Sequence, residues 1–94
     1  MKAVWNGKTL AESKDIITVE GHYYFPLDSI HKEFFVSSDA HTTCDWKGIA
    51  SYYNIVVDGR ENKDAAWYYP YPNELAKSVK DRISFWKSVQ FLED

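Results

Sequence analysis

The chain has 94 residues, of which 17% are aromatic, and its 11 basic and 14 acidic side chains leave a formal net charge of −3. Lysine and arginine are scattered, so neither nucleic acid nor an anionic membrane finds the basic face it needs. The single cysteine excludes an internal disulfide and a cysteine-rich zinc centre within one chain.

A chain this short is expected to form one domain, residues 1–94, burying about 60 to 65% of the surface its unfolded form exposes. The aromatic rings partly offset that limit, because each removes a large area from water. No apolar run approaches the length of a membrane span, and no charged-then-apolar leader starts at Met1. The reading is a soluble cytoplasmic protein, with self-association left open.

In chain order, the first signals are turns. Asn6-Gly7 and Glu20-Gly21 sit between apolar-rich runs, and two-residue hairpin turns of the primed types need positive φ, which Asn, Asp and Gly tolerate. Their flanks predict strands over Lys2 to Trp5, Thr9 to Glu12, Ile16 to Val19 and His22 to Phe25. Pro26 to Lys32 reads as a helical turn with Leu27 and Ile30 inward. Glu33 to Thr43, rich in Ser, Asp, His and Thr around Phe34-Phe35-Val36, reads as a loop with room for one short strand.

After Gly48 comes a strand over Ile49 to Val57. Ile49, Tyr53, Ile55 and Val57 lie on one face and Ala50, Tyr52 and Val56 on the other, the pattern of a strand covered on both sides. Asp58-Gly59 is a third hairpin turn, leading to a strand over Arg60 to Asn62. Ala65 to Tyr69 reads as a further strand, with Trp67 and Tyr69 on one face and Tyr68 on the other, ended by Pro70, which cannot donate to a ladder. Pro70-Tyr71-Pro72 makes a stiff corner, and Asn73 is placed to cap a short helix from Glu74 to about Asp81, with Leu75, Val79 and Ile83 at four-residue spacing. Arg82 to Leu92 alternates as one last half-buried strand. The fold class is therefore mainly β, a single small domain of two antiparallel sheets or an open barrel with one short helix near residues 74–81.

Tyr24-Phe25-Pro26, then Cys44 with Trp46-Lys47-Gly48, Ala50 and Tyr52, then Ala66-Trp67-Tyr68-Tyr69-Pro70 follow in an order that resembles the bacterial and fungal domain-of-unknown-function family four-two-seven, also labelled nucleotidyltransferase-like. The likeness runs from the Trp5-Asn6-Gly7 turn to Arg82–Trp86, nearly the whole chain. It implies a small β-tent domain of the sort also seen in zinc-binding and cereblon-type ligand-binding modules, and it carries no settled activity. Nucleotidyl transfer usually relies on a glycine-rich phosphate loop or on paired carboxylates that hold magnesium. Here the four glycines are scattered at 7, 21, 48 and 59, and no Asp-x-Asp occurs, so the label is discounted.

The densest chemistry lies in Cys44 to Tyr53 and Asp64 to Pro70. Trp46, Tyr52, Trp67, Tyr68 and Tyr69 are candidates either for a box around a cation or flat heterocycle, or for plain packing at the open end of a sheet. Lys47, just before Gly48, could neutralise an anionic group on a ligand, or with Asp64 form only an exposed pair. Cys44, with His41 three residues earlier, is either a nucleophile with its base or a small buried hydrophobe. His22, His31 and His41 are spaced nine and ten apart and match no metal-ligand pattern. No metal or cofactor is expected.

The leading expectation is a binding module whose pocket, built from Trp46, Lys47, Gly48, Tyr52, Trp67 and Tyr69, takes a small molecule or peptide. The alternatives are a small enzyme using Cys44 or Lys47, and a subunit whose aromatic surface is a protein interface.

Overall fold

The computed structural model describes residues 1–94. All three dipeptide turns form, with φ between 50° and 80° at Asn6-Gly7, Glu20-Gly21 and Asp58-Gly59. Positive φ at both central residues gives the backbone twist that matches a hairpin.

Nine strands result: β1 (Lys2–Trp5), β2 (Lys8–Glu12), β3 (Ile17–Val19), β4 (His22–Pro26), β5 (Phe35–Cys44), β6 (Gly48–Val57), β7 (Arg60–Tyr68), β8 (Arg82–Phe85) and β9 (Gln90–Leu92). They pair antiparallel in two sheets, a three-stranded one in the order β2-β1-β9 and a six-stranded one in the order β3-β4-β8-β7-β6-β5. The Cα radius of gyration is 12.6 Å, against about 12 Å for one compact domain of this length. No helix is long and apolar enough to cross a membrane.

Strand alternation divides the large sheet. Phe25, Ile83, Phe85, Ile55 and Val57 face the small sheet and pack with Ala3, Leu10 and Val89 into the main core. Phe25 sits at its centre, with its ring 5.6 Å from Phe85 and 6.2 Å from Phe91. Tyr24, Ala50, Trp67 and Tyr69 point the other way and form a second, smaller cluster. Tyr68 packs against the main core, opposite to Trp67 and Tyr69.

Four elements differ from the sequence reading. Glu33–Thr43 is mostly the ten-residue edge strand β5, whose side chains are polar and partly exposed along both faces. Its pairing with β6, from Phe35↔Ile55 to Cys44↔Gly48, holds it in the sheet where its own pattern gives no signal. The two short strands around Lys63 are one continuous strand, β7. A bulge at Asp64, φ 56°, hid the continuity, and the Asn54 side chain accepts the stranded Asp64 N–H at 2.9 Å.

The last strand is broken at Trp86-Lys87-Ser88, where Lys87 and Ser88 both have positive φ. β8 stays in the large sheet and β9 crosses to the small one. Apolar alternation persists across that turn because Val89 and Phe91 feed the same core from a new sheet.

The short helix is a 3₁₀ segment, Glu74–Val79, with a kink at Ala76. Its three-residue period buries Ala76 and Val79 and leaves Leu75 outside at 85% exposure. Asn73 provides no side-chain cap; its backbone N–H instead donates to the Lys47 carbonyl at 2.9 Å.

Phe25→Ala is expected to cost about 3 to 5 kcal/mol, the usual cost of deleting a buried aromatic ring. Leu75→Ala should stay within about 0.5 kcal/mol of the parent, as exposed substitutions do. Denaturant unfolding followed by circular dichroism measures both.

Candidate functional site

The face of the large sheet that turns away from the small sheet is only partly covered. Ala76 and Val79 of the 3₁₀ segment close one part of it over Tyr24, Trp67 and Tyr69. Beneath them the Trp67 indole N–H donates to the fully buried Tyr24 hydroxyl at 3.3 Å, which satisfies both polar tips.

The β5–β6 turn is fastened beside this cluster. Gly48 has φ 112°, and a Cβ there would lie 3.3 Å from the Tyr71 carbonyl oxygen and 3.6 Å from two atoms of Asn73. Only glycine meets both demands. The Asn73 backbone bond to the Lys47 carbonyl adds to the fastening, and with the turn so placed the lysine side chain runs inward over aromatic surface.

Lys47 is 5% exposed. Its Nζ lies 5.2 Å from the Trp46 ring centroid and 5.7 Å from that of Tyr69, within reach of cation–π attraction. Glu20, from the β3–β4 turn, forms an ion pair with it while keeping its own side chain 54% exposed. The pair is lopsided, with the cation dry and the carboxylate half in water.

The titration behaviour follows from that geometry. Burial alone would pull the Lys47 ammonium down, but the hydrogen bond to Glu20, aided by the Tyr24 and Tyr69 phenols, holds it above its ordinary 10.5. The same hydrogen bond keeps Glu20 below 4.5, against a smaller opposing effect of desolvation. Burial pushes the Tyr69 phenol up to about 12, although Lys47 opposes the shift.

A recess of about 500 Å³ opens at this place. Lys47, Tyr52, Trp67 and Tyr69 line it together with Glu20, His22 and Trp86. Trp67 is the floor, with the His22 ring 5.1 Å away at 88° and Trp86 6.1 Å away at 84°. The Tyr52 hydroxyl is held by Thr42 Oγ1 at 2.9 Å.

The sequence-selected residues fall into two groups. Lys47, Tyr52, Trp67 and Tyr69 meet at the recess. Trp46 stands behind it against Lys47, and Gly48 acts through its backbone. Cys44 is half-buried at the margin of the second cluster. His41 lies three residues away, and from His41↔Ser51 to Cys44↔Gly48 the strand is regularly paired, so its side chain leaves the opposite face, where Nδ1 is 3.4 Å from Ser51 Oγ. Strand geometry therefore separates that imidazole from the thiol.

His22, His31 and His41 stand beside Trp67, Phe34 and Ser51 respectively and do not converge. Asp64 is remote from Lys47 in role: its backbone carbonyl accepts the Trp86 indole N–H at 2.6 Å.

Sequence reasoning missed Glu20, His22 and Trp86. The usable signal for Glu20 was its place at the first turn position, where Asn or Asp is the common residue; its φ is 53°. His22 and Trp86 share the face of Tyr24 and Ser84, a relation visible only after the strands are paired.

A larger recess, about 870 Å³, lies between the 27–34 segment and Lys80–Arg82. Its lining carries three aspartates, two lysines and one arginine. The arginine is already spent: Arg82 bonds the Asp15 carboxylate and the Asp15 and Tyr24 carbonyls. Balanced charge and a committed cation make it the weaker candidate despite its size.

Fold and site together define a class of protein: a small two-sheet antiparallel β domain with a lysine dried out among aromatic rings on its open face. The family described as domain of unknown function (DUF427) matches residues 1–93, and the chain belongs to that family. No curated protein matches the chain.

A phenol whose folded-state pKa is raised favours the neutral form, so its contribution to stability is complete below the unfolded value of 10 and disappears as pH rises towards about 12. Ultraviolet titration should therefore show a phenol that ionises only near pH 12, accompanied by falling stability. Tyr69→Phe should remove that late step while the high-titrating Tyr53 remains.

Proposed function

We propose that this domain is a cytoplasmic binding module and that the recess floored by Trp67 takes a compact, partly flat ligand bearing a negative or polar group. The observation that carries the reading is Lys47. A lysine dried by two aromatic rings at the wall of a concavity supplies one fixed cation beside four aromatic rings, with Glu20 and His22 as the other polar groups of the lining, and rings with a few placed polar groups are the make-up of small-molecule sites. Its partner carboxylate is half in water and stands on a hairpin turn, so the pairing is not locked away in a core. Tyr52 and His22 bring polar tips to the lining while Trp67, its N–H spent on Tyr24, offers an apolar ring, which suits a ligand that is dry on its faces and wet at one edge.

One observation favours a protein interface as a second reading. Tyr71 and Leu75 are 90% and 85% exposed, and the Tyr71 backbone abuts Gly48, which puts apolar surface next to the recess. A peptide partner could use both.

Tryptophan fluorescence and thermal shift against a broad metabolite set test the reading, since Trp67 and Trp86 are in the lining. Hits should quench fluorescence and raise the melting temperature. Lys47→Ala should weaken anionic hits by about tenfold or more, the scale of a lost charge-assisted hydrogen bond, and spare neutral ones. A set in which no compound moves either signal would move the assignment to the protein interface.

A further inference from the structure

We infer that the Glu20 carboxylate is a built-in stand-in for the ligand's own anionic group, and that the recess takes planar aromatic monocarboxylates by exchanging one carboxylate for another on Lys47. The inference rests on the binding reading above and narrows it to one ligand class and one gating side chain.

The Lys47–Glu20 ion pair is asymmetric. The Lys47 side chain is 7% exposed and the Glu20 side chain 54%. A buried ammonium cannot be left without a counter-charge, because its lost hydration has to be replaced. A carboxylate already half in water loses little by moving fully out. Glu20 is thus the mobile partner and Lys47 the fixed one.

Location makes the exchange feasible. Glu20 projects from a two-residue turn and lines the same recess as Trp67 and Tyr69, so the carboxylate that leaves and the one that arrives share one opening. Charge is conserved at the ammonium throughout, since one monoanion replaces another. A dianion would bring a second charge for which the Lys47 position holds no second cation.

The walls select for shape and sign. Trp67 and Trp86 stand nearly perpendicular, centroids 6.1 Å apart, with Tyr52 and Tyr69 also in the lining; a planar ring can meet such surfaces face-on and edge-on. The Trp86 ring already carries the Lys87 ammonium 5.0 Å from its centroid. That ammonium is held by the Lys63 carbonyl at 2.8 Å and lies outside the lining, so with Glu20 swung out Lys47 is the one lysine of the recess and no carboxylate remains there to attract a cationic ligand.

Because the internal carboxylate competes, the intact protein binds more weakly than an open Lys47 would, in proportion to the fraction of time Glu20 is displaced. The test compares benzoate with its neutral isostere benzamide on the parent protein, Glu20→Gln and Lys47→Met. Titrations are read by tryptophan fluorescence, and melting curves check that each variant is folded. Glu20→Gln should bind benzoate roughly tenfold more tightly and benzamide unchanged, and Lys47→Met should lose the preference for benzoate. In the parent protein, carbon NMR should show the Glu20 carboxyl returning to ordinary titration behaviour as benzoate saturates, even if the Lys47 variant does not fold.

Equal or weaker benzoate binding by Glu20→Gln, with Glu20 titration in the parent unmoved by saturating benzoate, overturns the stand-in role and leaves the binding reading intact. Failure of benzoate on every variant while other metabolites bind overturns the ligand class alone. Failure of every compound on both the parent and Glu20→Gln overturns the inference and the reading together.

Discussion

A sheet whose strands are apolar on both faces has to be covered twice, and this chain has enough residues to cover its large sheet fully only once. β6 and β7 present Ile55, Val57 and Ala66 to one side and Ala50 and Trp67 to the other. The three-stranded sheet and its flanking turns seal the first side. On the second side a single 3₁₀ segment reaches Tyr24, Trp67 and Tyr69, and the remaining aromatic surface opens as the recess. The site is thus a consequence of unequal coverage, and rings with polar tips are the side chains that tolerate such a half-dry boundary.

Given that open face, the placement of one turn decides its chemistry. Gly48 lets the Asp45–Lys47 turn lie against Tyr71 and Asn73, and that contact directs Lys47 across Tyr69 and Trp46. Desolvation and cation–π attraction act in opposite senses on the ammonium, and the Glu20 hydrogen bond decides the balance in favour of charge. The β3–β4 hairpin supplies Glu20 and His22 from the other side. Two turns, distant in sequence, meet over one strand of the central sheet, and the third wall, Trp86, comes from the turn at which the chain changes sheets.

Much of this was legible in the sequence for local reasons. The three turn dipeptides fixed hairpins because few residues accept positive φ. Alternation placed Trp67 and Tyr69 together and Tyr68 apart, and the Cys44–Tyr53 and Asp64–Pro70 segments drew attention to rings that the sheet does bring together. What stayed hidden depended on pairing. β5 has no hydrophobic rhythm of its own and is a strand because β6 offers it a ladder. The break at Lys87 is invisible because Val89 and Phe91 keep the same period while changing sheets. In the 3₁₀ segment the inward residue is Ala76 and not Leu75, because a four-residue period pairs Val79 with Leu75 whereas the three-residue period pairs it with Ala76. Glu20 and His22 could not be assigned to the Lys47 neighbourhood without knowing that β3 and β4 share a sheet with β7.

The central claim is that Lys47 carries its charge in a dry aromatic setting with Glu20 as its counter-ion, and nitrogen and carbon NMR of the lysine side chains tests it most directly. The account predicts one lysine whose ε-methylene protons are displaced by the ring currents of Trp46 and Tyr69. Its ammonium protons should exchange slowly, and it should titrate above 10.5. Lysines that all titrate at or below 10.5, with unshifted ε-protons and fast exchange, would place Lys47 in solvent and contradict the account.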